Sequence, residues 1–272
     1  MVQGVSRGSL AAGQERLEAL LAVAGTDAAR VGEDLLGVTD LLASSPGLRR
    51  ALTDPSRDGD AKAGLVTSLL GSRIGTSGAD VVAGLARARW SRPGDLTDAV
   101  EALAVAAVLA GAEGAGRLDA VEDELFRFAR TVAGDNALRD AFSARTAGAD
   151  RKAALVRTLL AGRAAPETVR LAVQAATNPR GKRTESVLEG FVEAAARRRR
   201  QLVAEVTSAV PLDADRRDRL AAALRRLYGR EIRLNVDVDP HVVGGLRVQV
   251  GGELIDGTVS GRLDEARRRL AG

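Results

Sequence analysis

The sequence predicts a mainly α protein, two tandem helix-bundle repeats followed by a small α+β C-terminal domain, on three observations. Apolar residues return every three or four positions through the first two thirds of the chain. Residues 31–73 match 121–163 without a gap at an offset of 90, with 14 of 43 positions identical. Beyond about residue 200 the period changes from helical to alternating, which marks a domain of another class. Composition agrees. Hydrophobic residues make up 45% of the chain and aromatics 2%, so the cores must be built from Ala, Leu and Val, which favours packed helices over aromatic-rich sheets. A length of 272 residues suits two to three small domains, each with its own core.

Taken in order, the helical pattern predicts helices over 6–22, 27–44, 47–53, 59–71, 78–88, 94–112, 117–133, 136–143, 149–161, 166–176 and 184–201. Thr26-Asp27, Ser45-Pro46 and Pro166-Glu167 supply start signals, a capping side chain or a proline at the first turn. The repeat aligns Leu48-Arg49 with Leu138-Arg139, Asp60 and Lys62 with Asp150 and Lys152, and Leu69-Leu70 with Leu159-Leu160. One register held across three helices predicts a duplicated module. A strand is expected at 202–210, ending at Pro211, then a helix capped by Asp213 that runs to about Leu227 and stops at Gly229. Alternation at 232–239 and 246–250 predicts two further strands, and Gly251-Gly252 a tight hairpin turn before Leu254-Ile255. Hairpins are expected to make most of the sheet's connections. The predicted domains are 1–110, 111–198 and 199–272.

Several functions have no residues to support them. The absence of cysteine excludes disulfides, Cys-ligated zinc and thiol catalysis, and fits a reducing cytosol. His241 is alone, and a metal site needs several ligands. Carboxylates abound, but none accompanies a nucleophile or base in a recognisable motif, so no catalytic residue, cofactor or metal is expected. Gly244 and Gly245 suggest a phosphate cradle only superficially, because no phosphate-loop motif exists; they predict a turn or bulge. Asp256-Gly257 is expected to be a turn whose carboxylate bonds nearby backbone. Lys and Arg total 40 against 36 Asp and Glu, a net charge of +4, too balanced to indicate nucleic acid. The basic stretches 178–183 and 197–200 could meet nucleic acid or anionic lipid, but few aromatics leave little stacking platform, and a solvated helix face is the simpler expectation. The longest apolar stretch, 102–112, is too short to span a membrane. The first fourteen residues lack the apolar core of a signal peptide, so a soluble chain without a secretory signal is expected.

Three ordered stretches of the C-terminal segment carry a family resemblance: 206–212, ending Val210-Pro211-Leu212; Leu227-Tyr228-Gly229 leading to Val238-Asp239-Pro240; and 243–251, containing Gly244-Gly245 and ending at Gly251, followed by Ile255-Asp256-Gly257-Thr258 and Leu263. This set resembles the ATP synthase delta subunit family, which includes the mitochondrial oligomycin-sensitivity-conferring protein. Leu52-Thr53-Asp54-Pro55 followed by Lys62 and Leu65 echoes the family's helical bundle. The sequence departs from the pattern at Thr258, where serine is usual, in lacking an aromatic near Leu10, and in being about one bundle longer; the duplication accounts for the extra length. The resemblance implies a non-catalytic peripheral-stalk subunit. Its N-terminal bundle would grip the N-terminal helices of the alpha subunits, its C-terminal domain would hold the end of the b subunit, and the whole would resist rotor torque. By the same resemblance the alpha-binding groove falls on the first and fifth helices, near Leu17, Leu20, Leu21, Val81, Val82 and Leu85, residues that periodicity alone assigns equally well to a core. The arginines of 178–183 and 197–200 would then meet acidic residues of the b subunit. Membrane association would come only through the complex, at the cytoplasmic face of the bacterial plasma membrane. A free-standing helical adaptor or anionic-surface binder is the alternative, and an ATP hydrolase a third that lacks a phosphate loop.

Overall fold

The computed structural model describes residues 5–23, 25–144, 146–200, 203–228, 232–240, 242 and 244–257. It divides into two compact units, Met1–Ala195 and Ala196–Gly272. The expectations for Gly229, His241, Thr258 and Leu263 lie outside the described residues.

The helical part comprises α1 (Val5–Leu21), α2 (Ala28–Ser44), α3 (Pro46–Thr53), α4 (Gly59–Leu70), α5 (Thr76–Arg87), α6 (Pro93–Gly114), α7 (Leu118–Gly134), α8 (Asn136–Ser143), α9 (Ala149–Leu160), α10 (Pro166–Thr177) and α11 (Thr184–Arg200). Starts follow local chemistry. Asp27 Oδ1 accepts from Arg30 N at 3.0 Å, and Asp135 Oδ1 accepts from Ala137 N and Leu138 N at 2.8 and 3.1 Å. Asp58 does the same for α4, and prolines open α3, α6 and α10. Gly116 and Gly162 take left-handed φ angles of 67° and 66° after α6 and α9, conformations open to glycine at little cost.

The duplication reaches beyond the segment in which identities are visible. Adding 90 to both bounds of α2, α3, α4 and α5 gives the bounds of α7, α8, α9 and α10 without remainder. One long-range contact repeats too. Asp34 Oδ2 accepts the backbone N–H of Gly75 at 2.8 Å, and Glu124 Oε2 accepts that of Ala165 at 2.8 Å. Gly75 and Ala165 precede α5 and α10 and have no side-chain cap of their own. A carboxylate from a neighbouring helix therefore satisfies an orphan donor and complements the helix dipole in each repeat. The side chains differ in length, and the space compensates: Gly78 lies where a Cβ would be 3.1 Å from Asp34 Cβ, while at its counterpart the longer Glu124 also accepts from Thr168 Oγ1 at 2.5 Å.

The two repeats pack on each other within the first unit, and α6 explains how. Leu96, Ala99, Val100, Leu103, Ala104, Ala107, Val108 and Ala112 are all buried, so the helix is apolar on several faces, as a helix enclosed by others must be. It packs against α1, α2, α3 and α5 on the first-repeat side and against α7 and α10 on the other. Residue 110 thus lies inside a helix that serves both repeats.

The second unit holds β1 (Val203–Ser208), α12 (Ala214–Tyr228), β2 (Arg233–Val238), β3 (Leu246–Val250) and β4 (Glu253–Asp256) in a sheet of order β2-β1-β3-β4. Its core is Ala204, Val206, Leu212, Leu224, Ile232, Val248 and Val250. The expectation of mostly hairpin connections is corrected here. Helix α12 carries the chain back over the sheet, so β2 enters parallel to β1, and β3 then pairs antiparallel on the other side of β1. Among the described residues β3–β4 is the one hairpin. Its loop is Gly251-Gly252, with a left-handed φ of 58° at Gly251 alone, the demand of a type II′ turn.

Candidate partner-binding surfaces

The face made by α1 and α5 rests on two glycines. A Cβ at Gly13 would stand 2.6 Å from Leu85 Cδ2, and one at Gly84 would stand 3.0 Å from Arg16 Cδ. A side chain at either position would have to displace its neighbour, Leu85 or Arg16. Across the approach Arg16 Nε and Nη2 donate to Asp80 at 2.9 and 2.6 Å, a bidentate pair that holds the Arg16 guanidinium above its ordinary value. Both side chains remain about half exposed.

Of the six groove residues named from the sequence, Leu17, Val81, Val82 and Leu85 are at most 1% exposed. They form the packed support beneath the face and have no surface to offer a partner. Leu20 and Leu21 are half-buried and open to solvent, and Val23, just beyond the helix, is 63% exposed. The outer surface is therefore Leu20, Leu21, Arg16, Asp80 and Gly84. Gly13 and Gly84 were legible as glycines interrupting helical patterns; the Arg16–Asp80 pair, 64 residues apart, had no local signal.

The basic stretch 178–183 is not a uniform solvated face. Arg180, in a left-handed conformation with φ 48°, turns its guanidinium inward, where Nη1 donates to Asp98 and Nη2 to Glu101 on α6. Its side chain is 16% exposed. Burial pushes the Glu101 carboxyl above its ordinary value, and Arg180 opposes that shift without cancelling it. Within 197–200, Arg198 is buried while the other three are exposed or partly so. The duplicated lysines are also structural: Lys62 Nζ donates to Ala88 O at 3.1 Å and Lys152 Nζ to Phe142 O at 2.6 Å. Burial, with Arg89 nearby, lowers the Lys62 ammonium from its ordinary value.

In the second unit the C-terminal motif residues shape turns. Pro211 lies exposed between β1 and α12. Asp239 N donates to Ser208 O at 3.0 Å, drawing the Asp239-Pro240 bend to the end of β1. Gly244 and Gly245 have φ angles of 62° and 88°, so the chain turns through them into β3. Asp256 ends β4 opposite Arg247, with 3.7 Å between their charged groups, and Gly257 N donates to Leu246 O at 2.9 Å; the turn expected at Asp256-Gly257 continues into residues outside those described. Ile255, opposite the buried Val248, is 36% exposed, and Val210, Leu227, Val238 and Leu254 are exposed as well. A cavity of about 640 Å³ opens between the β1–α12 and β2–β3 connections, with Val210, Leu212, Leu220 and Leu246 in its wall and Arg216 and Arg219 beside them. Such a surface suits an amphipathic segment that brings both aliphatic and acidic side chains.

Among the described residues no cluster of His, Cys, Asp or Glu is placed to hold a metal ion, and no helix is long and apolar enough to cross a membrane. The family model "ATP synthase delta (OSCP) subunit" matches residues 101–270. The ATP synthase subunit delta of Kineococcus radiotolerans is 59% identical over 269 residues, 99% of this chain and 98% of that one. That of Streptomyces griseus subsp. griseus is 51% identical over 271 residues, the whole of both chains. A chain in a cryo-EM structure of the Toxoplasma gondii mitochondrial ATP synthase hexamer aligns with a TM-score of 0.33 and 20% identity over 62% of this chain and 95% of that one, too slight a likeness to bear on the fold.

Proposed function

The chain belongs to the ATP synthase delta (OSCP) subunit family, and we infer from that membership that it is a non-catalytic subunit of the peripheral stalk, joining the catalytic alpha/beta head to the b-subunit stator. The observation that carries this reading is the match over the full chain to relatives of that name. The work is mechanical. A stator must hold its partners while the rotor turns, so it needs affinity and stiffness where an enzyme needs reactive groups. Stiffness is favoured by the shared α6 and by the side chains that join the repeats, Arg180 to Asp98 and Glu101, and Arg170 to Glu33. The N-terminal helices of the alpha subunits would lie on the α1/α5 face, touching Leu20 and Leu21 over the support of Leu17, Val81, Val82 and Leu85. The C-terminal end of the b subunit would occupy the second unit near Val210 and Leu246. The subunit would sit peripherally at the cytoplasmic face of the bacterial plasma membrane, held there by the complex.

Calorimetric titration of the intact chain with two peptides tests this, one from the alpha N-terminus and one from the b C-terminus of the same synthase. Both should bind, and Leu20→Asp should weaken the alpha peptide about tenfold or more while leaving the b peptide unaffected. Failure of both peptides to bind would refute the assignment.

A further inference from the structure

The second repeat attaches to the first along one flank of α2. On that flank Glu33, Leu36 and Asp40 follow one another at i, i+3 and i+7. Arg170 Nε donates to Glu33 Oε1 at 2.7 Å, and Gln174 Nε2 and Asn178 Nδ2 donate to Asp40 Oδ1 at 3.0 and 2.7 Å. Leu36, between the two carboxylates, is 0% exposed. Because α7 repeats α2 at an offset of 90, the equivalent flank of the second repeat is Asp123, Phe126 and Arg130. All three are exposed, Phe126 by 53%, and Asp123 pairs along its own helix with Arg127. In a tandem array each repeat presents the surface that receives the next, and the last one presents it to solvent. Here it displays one of only four phenylalanines in the chain.

We propose that the Asp123–Phe126–Arg130 flank of α7 docks one α-helix from a different polypeptide of the same assembly, a helix that does on α7 what α10 does on α2. This rests on reading the chain as a subunit of a larger complex. The chemistry of the partner follows from the internal template. The first acidic position is kept, Glu33 becoming Asp123, so the partner brings a basic side chain where α10 brings Arg170. The second position is inverted, Asp40 becoming Arg130, so an acidic side chain replaces the amides of Gln174 and Asn178. The apolar centre is kept and enlarged, Leu36 becoming Phe126, so an aliphatic side chain lies between the charges. A helical flank has its backbone groups paired internally and recognises by side chains alone, which selects another helix over an extended strand. The duplicated module thereby acquires a task of its own, a second grip on the stator.

The test is photocrosslinking in the purified, assembled synthase, with p-benzoylphenylalanine replacing Phe126 in one preparation and Leu20 in another. The expected result at Phe126 is an adduct to a helix of another subunit carrying the basic, aliphatic and acidic pattern. Phe126→Ala and Arg130→Glu should each weaken retention of that subunit about tenfold or more, with the helical circular dichroism and alpha-peptide binding of the isolated chain unchanged. Adducts confined to this chain, including its C-terminal unit, adducts to a second copy, or no adduct at Phe126 while position 20 crosslinks, would each overturn the proposal. If the chain never enters the assembly, the stalk reading fails and the docking surface falls with it.

Discussion

Glu101 sets burial against charge, and Arg180 is what makes the conflict tolerable. The Glu101 side chain is 11% exposed and ion-paired, yet desolvation still leaves its carboxyl above the ordinary value. The sign of the consequence follows from linkage. A folded-state value above the unfolded one means that the native chain binds the proton more tightly, so stability from this group is fully present below the unfolded value and is lost as pH rises through the folded one. Glu101→Gln removes that loss. The melting temperature of the wild type relative to the variant should therefore fall as the pH rises above the ordinary glutamate range, measured by thermal scans at one ionic strength. Parallel curves would mean that the group ionises as it does in the unfolded chain.

Helix α2 is central because small residues let α6 lie against it. A Cβ on Gly32 would stand 2.6 Å from Val108 Cγ2 and 3.1 Å from the Val108 backbone nitrogen, while one on Gly37, exposed on the same helix, would meet nothing within 4 Å. Alanine is preferred over glycine in a helix by about 1 kcal/mol, and overpacking costs about 1–3 kcal/mol. The balance reverses between the two sites. Gly37→Ala is expected to stabilise the fold by up to about 1 kcal/mol, and Gly32→Ala to destabilise it by up to about 2 kcal/mol, read from urea unfolding. Equal effects would show that α2 and α6 can separate without loss. Elsewhere the elements follow local rules closely: the predicted helix 136–143 and strand 246–250 coincide with α8 and β3, because capping and alternation are set by neighbours in sequence.

Across the molecule, sharing α6 should make the two repeats unfold together. Phe142 is 2% exposed and meets Phe128 edge to face, with ring centroids 6.4 Å apart. Phe142→Ala opens a cavity costing about 3–5 kcal/mol. If α6 couples the repeats, native-state hydrogen exchange should accelerate in α2 and α5 as well as in α9 and α10. Acceleration confined to the second repeat would show that the repeats open independently. The two compact units give no reason to expect one transition for the whole chain.

By itself the sequence determined the helix and strand positions, the duplication and the family resemblance, because caps, periodicity and turn residues act over a few positions and identities accumulate along the chain. Tertiary structure alone decided which apolar residues are core and which are surface. Leu17 and Leu20 both belong to α1 and to one helical pattern, yet Leu17 is sealed on its packed side and Leu20 is open, since burial depends on which helices close over each face. It also decided the work of Arg180: its place in a basic run suggested a solvated charge, but a left-handed backbone angle turns the side chain onto two carboxylates about 80 positions earlier. Sheet order was likewise a tertiary outcome. Alternation marks a strand and its two faces, whereas the neighbour it pairs with, and in which direction, depends on where α12 returns the chain.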